Sequence, residues 1–196
     1  MSKPILIAIC GETASGKDTL KEELSLTLTS RNIENHVILH DTTRPPRRDE
    51  RNKVDYTFLP KYIFMTNILK KQYLEWNKFH NWYYGTRFSE IKEDAINIGV
   101  FSPFGIEKLA DMQDELDIYP VYLKVNTKER FYRAKDRDGK VDIELLRRIV
   151  SDKIDFWDFE KDLQSNFTNY VICDNININR QIEQILIMLR YTYPFI

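Results

Sequence analysis

The sequence predicts an α/β domain built on a parallel sheet. Three observations predict it. Short apolar runs alternate with helical patterns, a glycine-rich turn joins the first run to the first helix, and 196 residues suffice to bury a core without disulfides or metals.

Ile5 to Cys10 reads as a fully buried strand. Lys17 to about Ser30 reads as a helix, because Leu20, Leu24 and Leu28 recur at the helical spacing. His36 to His40 is a second strand, and further strands are expected at Gly99 to Ser102, Tyr119 to Val125 and Tyr170 to Cys173. Helices are expected between them, and Ile178 to Tyr191 closes the chain. Strands separated by helices imply a parallel sheet covered on both faces. Two stretches break the alternation. Thr42 to Thr86 is aromatic and basic, with strand-like pieces at Tyr56 to Leu59 and Trp82 to Tyr84. Arg130 to Arg148 is a charged helical segment interrupted at Asp138-Gly139. Both are expected as lobes at the carboxyl edge of the sheet, where open α/β folds place ligands.

Hydrophobic residues make up 42% and charged residues 30%, the balance of a soluble globular chain. The formal net charge of −1 argues against a broad field for nucleic acid or a membrane surface, so any anion site must be built locally. Cys10 and Cys173 sit in apolar runs and are expected as buried strand thiols. His36, His40 and His80 are too scattered to form a ligand set. The apolar run before the glycine turn is too short for a signal peptide or membrane span, so a cytoplasmic protein is the expectation.

Gly11-Glu12-Thr13-Ala14-Ser15-Gly16-Lys17 fits G-x-x-x-x-G-K between a strand and a helix. Glycines let the backbone wrap closely, so successive N–H groups and the helix N-terminus face phosphate oxygens, with Lys17 reaching the β- and γ-phosphates. Gly11, Thr13, Ala14, Ser15, Gly16, Lys17, Asp18 and Thr19 are therefore candidate ATP-binding residues. Asp18 stands where Ser or Thr is usual. It is read either as a Mg²⁺ ligand or as a helix N-cap or first-turn acid, and Thr19 could supply a hydroxyl next door.

Thr42-Thr43-Arg44-Pro45-Pro46-Arg47 gathers guanidinium groups on a stiffened turn, and Tyr56 adds a hydroxyl. A glutamate, Asp55-Tyr56, Tyr73-Leu74-Glu75-Trp76 and Tyr83-Tyr84-Gly85-Thr86 follow in order. With these motifs the chain resembles the guanylate kinases. The resemblance implies a three-layer P-loop fold with a five-stranded parallel sheet, in one domain over 1–196. Its core would be about 1–41 and 87–196, its monophosphate-binding lobe 42–86 and its small lid 134–147. It implies that Arg44, Arg47, Tyr56 and Tyr84 hold the acceptor phosphate, that Glu75 binds the base, and that Gly85 and Thr86 line the same pocket. Arg133, Arg137 and Arg148 match the lid arginines, Arg133 on the ATP side. Lys17, Arg44, Arg137 and Arg148 are the expected catalytic set, with ATP as donor and Mg²⁺ as cofactor. The expected assembly is a monomer or homodimer.

The chemistry agrees. One carboxylate can accept both the N1–H and the exocyclic amine of guanine, whereas adenine presents an acceptor at N1. The acceptor phosphate needs no strong base; the task is to bring two polyanions together. Two departures bear on the base. His40-Asp41 stands where the family has a small hydroxyl residue, and Gly99 to Gly105 lacks the family's strand aspartates. Ser102 falls near the lost acid and is a further candidate acceptor-binding residue; Asp41 or His40 could compensate, and Asp18 could replace a lost carboxylate in the Mg²⁺ shell. The leading expectation is phosphorylation of GMP or dGMP. The alternatives are a deoxynucleoside monophosphate kinase with another base, such as dTMP through its N3–H, and a non-catalytic binding module. Such modules typically lose the loop lysine and lid arginines, which are present here.

Overall fold

Alternation along β1 (Ile5–Gly11) gives the central strand two apolar faces. Ile7 and Ile9 point to one layer, and Leu6, Ala8 and Cys10 to the other. A computed structural model describes residues 3–48, 50–79, 81–138, 143–174 and 177–193, without the side chains of 137, 138 and 144. It places β1 between two parallel neighbours, β7 (Ile96–Val100) and β8 (Asp117–Lys124). The edges are β2 (Asn35–Val37) and β9 (Val171–Asp174). The order β2-β7-β1-β8-β9 is the expected five-stranded, all-parallel sheet.

One face is covered by α1 (Lys17–Ser30) and α7 (Ile178–Thr192). Leu20, Leu24 and Leu28 are fully buried, as their spacing predicts, each contributing roughly 1.5–3 kcal/mol. Asn32, at φ 58°, ends α1; Arg31 N and Ile33 N both donate to Leu28 O. Asn177 caps α7 by accepting from Arg180 N at 3.0 Å. The opposite face carries α3 (Pro103–Ala110) and α6 (Phe159–Asn166), through Ile106, Leu109, Phe159 and Leu163.

The aromatic stretch folds as a second sheet, ordered β4-β3-β6-β5. Its strands are β3 (Asp41–Thr42), β4 (Thr57–Phe58), β5 (Tyr73–Phe79) and β6 (Trp82–Arg87). On it lies α2 (Lys61–Leu69), whose Phe64 stacks on Tyr73 with ring centroids 4.5 Å apart. The basic stretch forms α4 (Thr127–Asp138) and α5 (Ile143–Asp155); Gly139, where a break is expected, lies outside the described residues.

Several strand limits differ from expectation. The strand expected over His36 to His40 stops at Val37, because Asp41 already pairs with Gly85 in the second sheet; one apolar run serves two sheets. The strand expected over Gly99 to Ser102 runs from Ile96 instead, and Ser102 caps α3. Asn97 disguised its start. It is fully buried, yet its amide nitrogen donates to Ile5 O and Lys92 O at 3.0 and 2.9 Å, so a polar residue sits satisfied in a core strand. β8 begins at Asp117 and β9 ends at Asp174, shifts of one or two residues. Cys10 and Cys173 are buried free thiols, as expected. Among the described residues no helix is long and apolar enough to cross a membrane.

Candidate functional site

The turn after β1 is shaped by what its residues exclude. A Cβ on Gly11 would lie 2.7 Å from Ser15 Oγ and 2.9 Å from Leu123 O, so only glycine fits. Gly16 takes φ 100° as it opens α1, and Ala14 holds φ 60°. The loop closes through Ser15 N donating to Glu12 O, and Lys17 Nζ donates to the same carbonyl at 2.9 Å. Burial lowers the pKa of Lys17. Arg133 Nη1 donates to Ser15 O at 3.1 Å, which lays its guanidinium against the loop. A cavity of about 560 Å³ opens along Ala14 to Thr19, Arg133, Asn177, Ile178 and Gln181.

Gly16 is the N-cap of α1 and makes no side-chain cap bond, so the N-cap reading of Asp18 is corrected; Asp18 lies in the first turn. Its carboxylate is 79% exposed and 3.5 Å from Lys21 Nζ. Among the described residues no group of three His, Cys, Asp or Glu gathers as a metal cage. One exposed carboxylate beside the glycine-rich loop still fits Mg²⁺, which commonly takes one or two carboxylates plus substrate phosphates.

A second cavity, about 260 Å³, runs from the loop into the aromatic lobe. Gly11, Thr13 and Lys17 line it together with Tyr56, Tyr84, Glu75, His40 and Ser102. Arg44 donates to both oxygens of Glu50 at 2.7 and 2.8 Å, and its guanidinium lies 5.5 Å from the ring centroid of Tyr56, which lines the cavity. Tyr56 and Tyr84 meet edge to face at 6.4 Å. Arg47 is largely exposed, and its backbone N–H donates to Glu50. Deeper in, Thr86 Oγ1 donates to Glu75 Oε1 at 2.7 Å and lies 2.8 Å from His40 Nδ1. Desolvation raises Glu75 to about 7 and lowers His40 to about 4. Ser102 Oγ accepts from Asn77 Nδ2 at 2.7 Å and from Gly105 N at 3.1 Å, capping α3, so its oxygen is already engaged. Gly85 is packed tightly; a Cβ there would be 3.0 Å from Tyr73 and 3.1 Å from Phe64. A further concavity, about 730 Å³, is a groove between β5, α3 and α6 that lacks every loop residue.

The fold thus brings Lys17, Tyr56, Glu75, Tyr84, Gly85 and Ser102 to one cavity. Arg148 lies half-buried on α5, and the side chain of Arg137 is outside the described residues. Asp41 is the expectation that geometry redirects. It is 1% exposed, accepts from Arg87 Nε and Nη2 at 2.7 Å each and from Tyr73 Oη, so it holds the lobe together rather than compensating in the base pocket. Sequence reasoning passed over Glu12, Arg130 and Asp152, which meet beside the loop. No local motif marks them, because Glu12 and Arg130 are 118 residues apart.

Three comparisons with known proteins bear on this geometry. A family model for guanylate kinase matches residues 2–186. A guanylate kinase of Mesomycoplasma hyopneumoniae is 40% identical over 92 residues, spanning 47% of this chain and 44% of that protein. The chain thus spans less than half the length of that relative. A guanylate kinase of Aster yellows witches'-broom phytoplasma is 30% identical over 159 residues, covering 79% of this chain and 74% of that one. The crystal structure of guanylate kinase from Anaplasma phagocytophilum superimposes with a TM-score of 0.64 at 15% identity, over 98% of this chain and 87% of that chain, a likeness of fold.

Proposed function

The chain belongs to the guanylate kinase family, and from that premise we propose that it transfers the γ-phosphoryl group of ATP to GMP or dGMP. The observation that carries the proposal is that one cavity is lined both by Lys17 of the loop and by Tyr56, Tyr84 and Glu75 of the lobe. A triphosphate on the loop and a monophosphate in the lobe would meet there.

ATP lies along Gly11 to Thr19, with backbone N–H groups facing its phosphates and Arg133 flanking them. Asp18 is the carboxylate that would hold Mg²⁺, which when bound with ATP would neutralise phosphate charge. Arg44, Arg47, Tyr56 and Tyr84 hold the acceptor phosphate, for which Arg44 exchanges its bonds to Glu50. Glu75, in its ionised form, accepts from guanine N1–H and the exocyclic amine, while Thr86 holds its other side. Lys17, with Arg137 and Arg148 supplied from α4 and α5, screens the charge that moves from donor to acceptor. The chain acts within a cytoplasm, as a monomer or homodimer, and needs neither nucleic acid nor membrane.

The test offers each ribo- and deoxynucleoside monophosphate to purified protein with ATP and Mg²⁺ and follows ADP formation. Turnover confined to GMP and dGMP is expected. Turnover with dTMP instead would reassign the base, and no turnover with any acceptor would refute the enzyme.

A further inference from the structure

Arg130 lies in the first turn of α4 and is 1% exposed, with no guanidinium N–H left over for a ligand. Nε donates to Val125 O at 3.1 Å. Nη1 donates to Thr13 O at 3.3 Å and to Asp152 Oδ2 at 3.0 Å. Nη2 donates to Glu12 Oε1 at 2.6 Å and to Thr127 Oγ1 at 3.4 Å. Asp152, on α5, in turn accepts from Thr13 N at 2.9 Å and from Thr13 Oγ1 at 3.2 Å. The peptide of Thr13 is therefore gripped at its N–H by one helix and at its carbonyl by the other.

We propose that Arg130 and Asp152 are positioning residues that hold the phosphate loop in its nucleotide-binding shape before ATP arrives. The residue after the gripped one is Ala14, at φ 60°, a left-handed backbone that residues other than glycine rarely adopt. Such a conformation persists only where its surroundings over-determine it, and the grip on Thr13 is that surrounding. A buried ion cluster is a poor way to gain stability compared with apolar packing, which fits a role in specifying one conformation. The cluster also has a direction of charge. Two carboxylates against one guanidinium leave a negative balance beside the loop, and Lys17 is kept close on Glu12 O. Arg130 thus shapes the site and does not itself contact phosphate.

The inference rests on reading the loop as the ATP site. Asp152→Asn keeps the side-chain size but weakens the grip on Thr13. If the freed loop holds its binding shape about one-tenth of the time, the Kd and KM for ATP rise about tenfold. The KM for GMP and kcat are expected to stay within about twofold, because bound ATP restores the loop. ATP affinity is measured by calorimetry without acceptor, and both KM values by steady-state kinetics. Unchanged ATP affinity in folded Asp152→Asn overturns the inference, as does an equal rise in both KM values, which marks a general loss of structure. Should that variant not fold, Glu12→Gln loosens the same cluster more gently. An ATP-selective loss there supports the inference, and unchanged ATP affinity overturns it. Wild-type protein that binds no ATP refutes the functional reading as well, whereas wild-type binding with unaltered variants overturns this inference alone.

Discussion

Acceptor binding is expected to weaken about tenfold when the pH falls from about 8 to about 6, because only the ionised form of Glu75 can accept two N–H groups from guanine. Burial holds this carboxyl at about 7. The ionised fraction is then about nine-tenths at the upper pH and about one-tenth at the lower, and apparent affinity follows that fraction. The assay is the KM for GMP at saturating ATP across this range. The acceptor's own phosphate titrates near 6 as well, so Glu75→Gln supplies the baseline: it lacks the carboxyl and retains only the phosphate effect. A flat profile in the wild type, or the same slope in both proteins, would refute the reasoning. Stability has the opposite dependence. A carboxyl raised from 4.5 to about 7 binds its proton more tightly in the folded state. Its contribution is complete below the unfolded value and is lost as the pH rises through about 7, by about 3 kcal/mol in ligand-free protein. Denaturant melts should show that loss in the wild type and not in Glu75→Gln.

Lys17→Met should lower kcat by about 10²–10³-fold with the fold intact, since it removes one preorganised charge from the transferring phosphoryl group; near-wild-type kcat would exclude it from the chemistry. Asp18→Ala should raise the Mg²⁺ concentration needed for half-maximal rate, and an unchanged metal titration would leave Asp18 as a first-turn acid only. Leu24→Ala, at a fully buried position of α1, should destabilise by about 2–5 kcal/mol without altering either KM, as read by urea melts and kinetics.

Much of the site was legible because its chemistry is local. Gly11 and Gly16 stand where the turn leaves no room for a Cβ or takes a left-handed backbone, and Lys17 follows at fixed spacing. Likewise Arg44, Tyr56, Glu75 and Tyr84 fall within one short stretch, so their order alone marked a pocket. The strand of Ile96 to Val100 was less legible, because Asn97 breaks its apolar run and only burial shows its amide satisfied by Ile5 and Lys92. The strand of Tyr73 to Phe79 was likewise recognised as a motif rather than as an element; its pairing with β6 makes it a strand.

By itself the sequence determined the class of fold, the glycine-rich turn and the family, since periodicity and close spacing are written along the chain. Only the tertiary structure decided which polar residues serve the cavity and which serve the scaffold. Asp41 and Arg87 lie 46 residues apart, and Glu12 and Arg130 lie 118 apart. Partners so distant leave no local pattern. Their charges are assigned when folding removes them from water and each must find an opposite charge or a hydrogen bond.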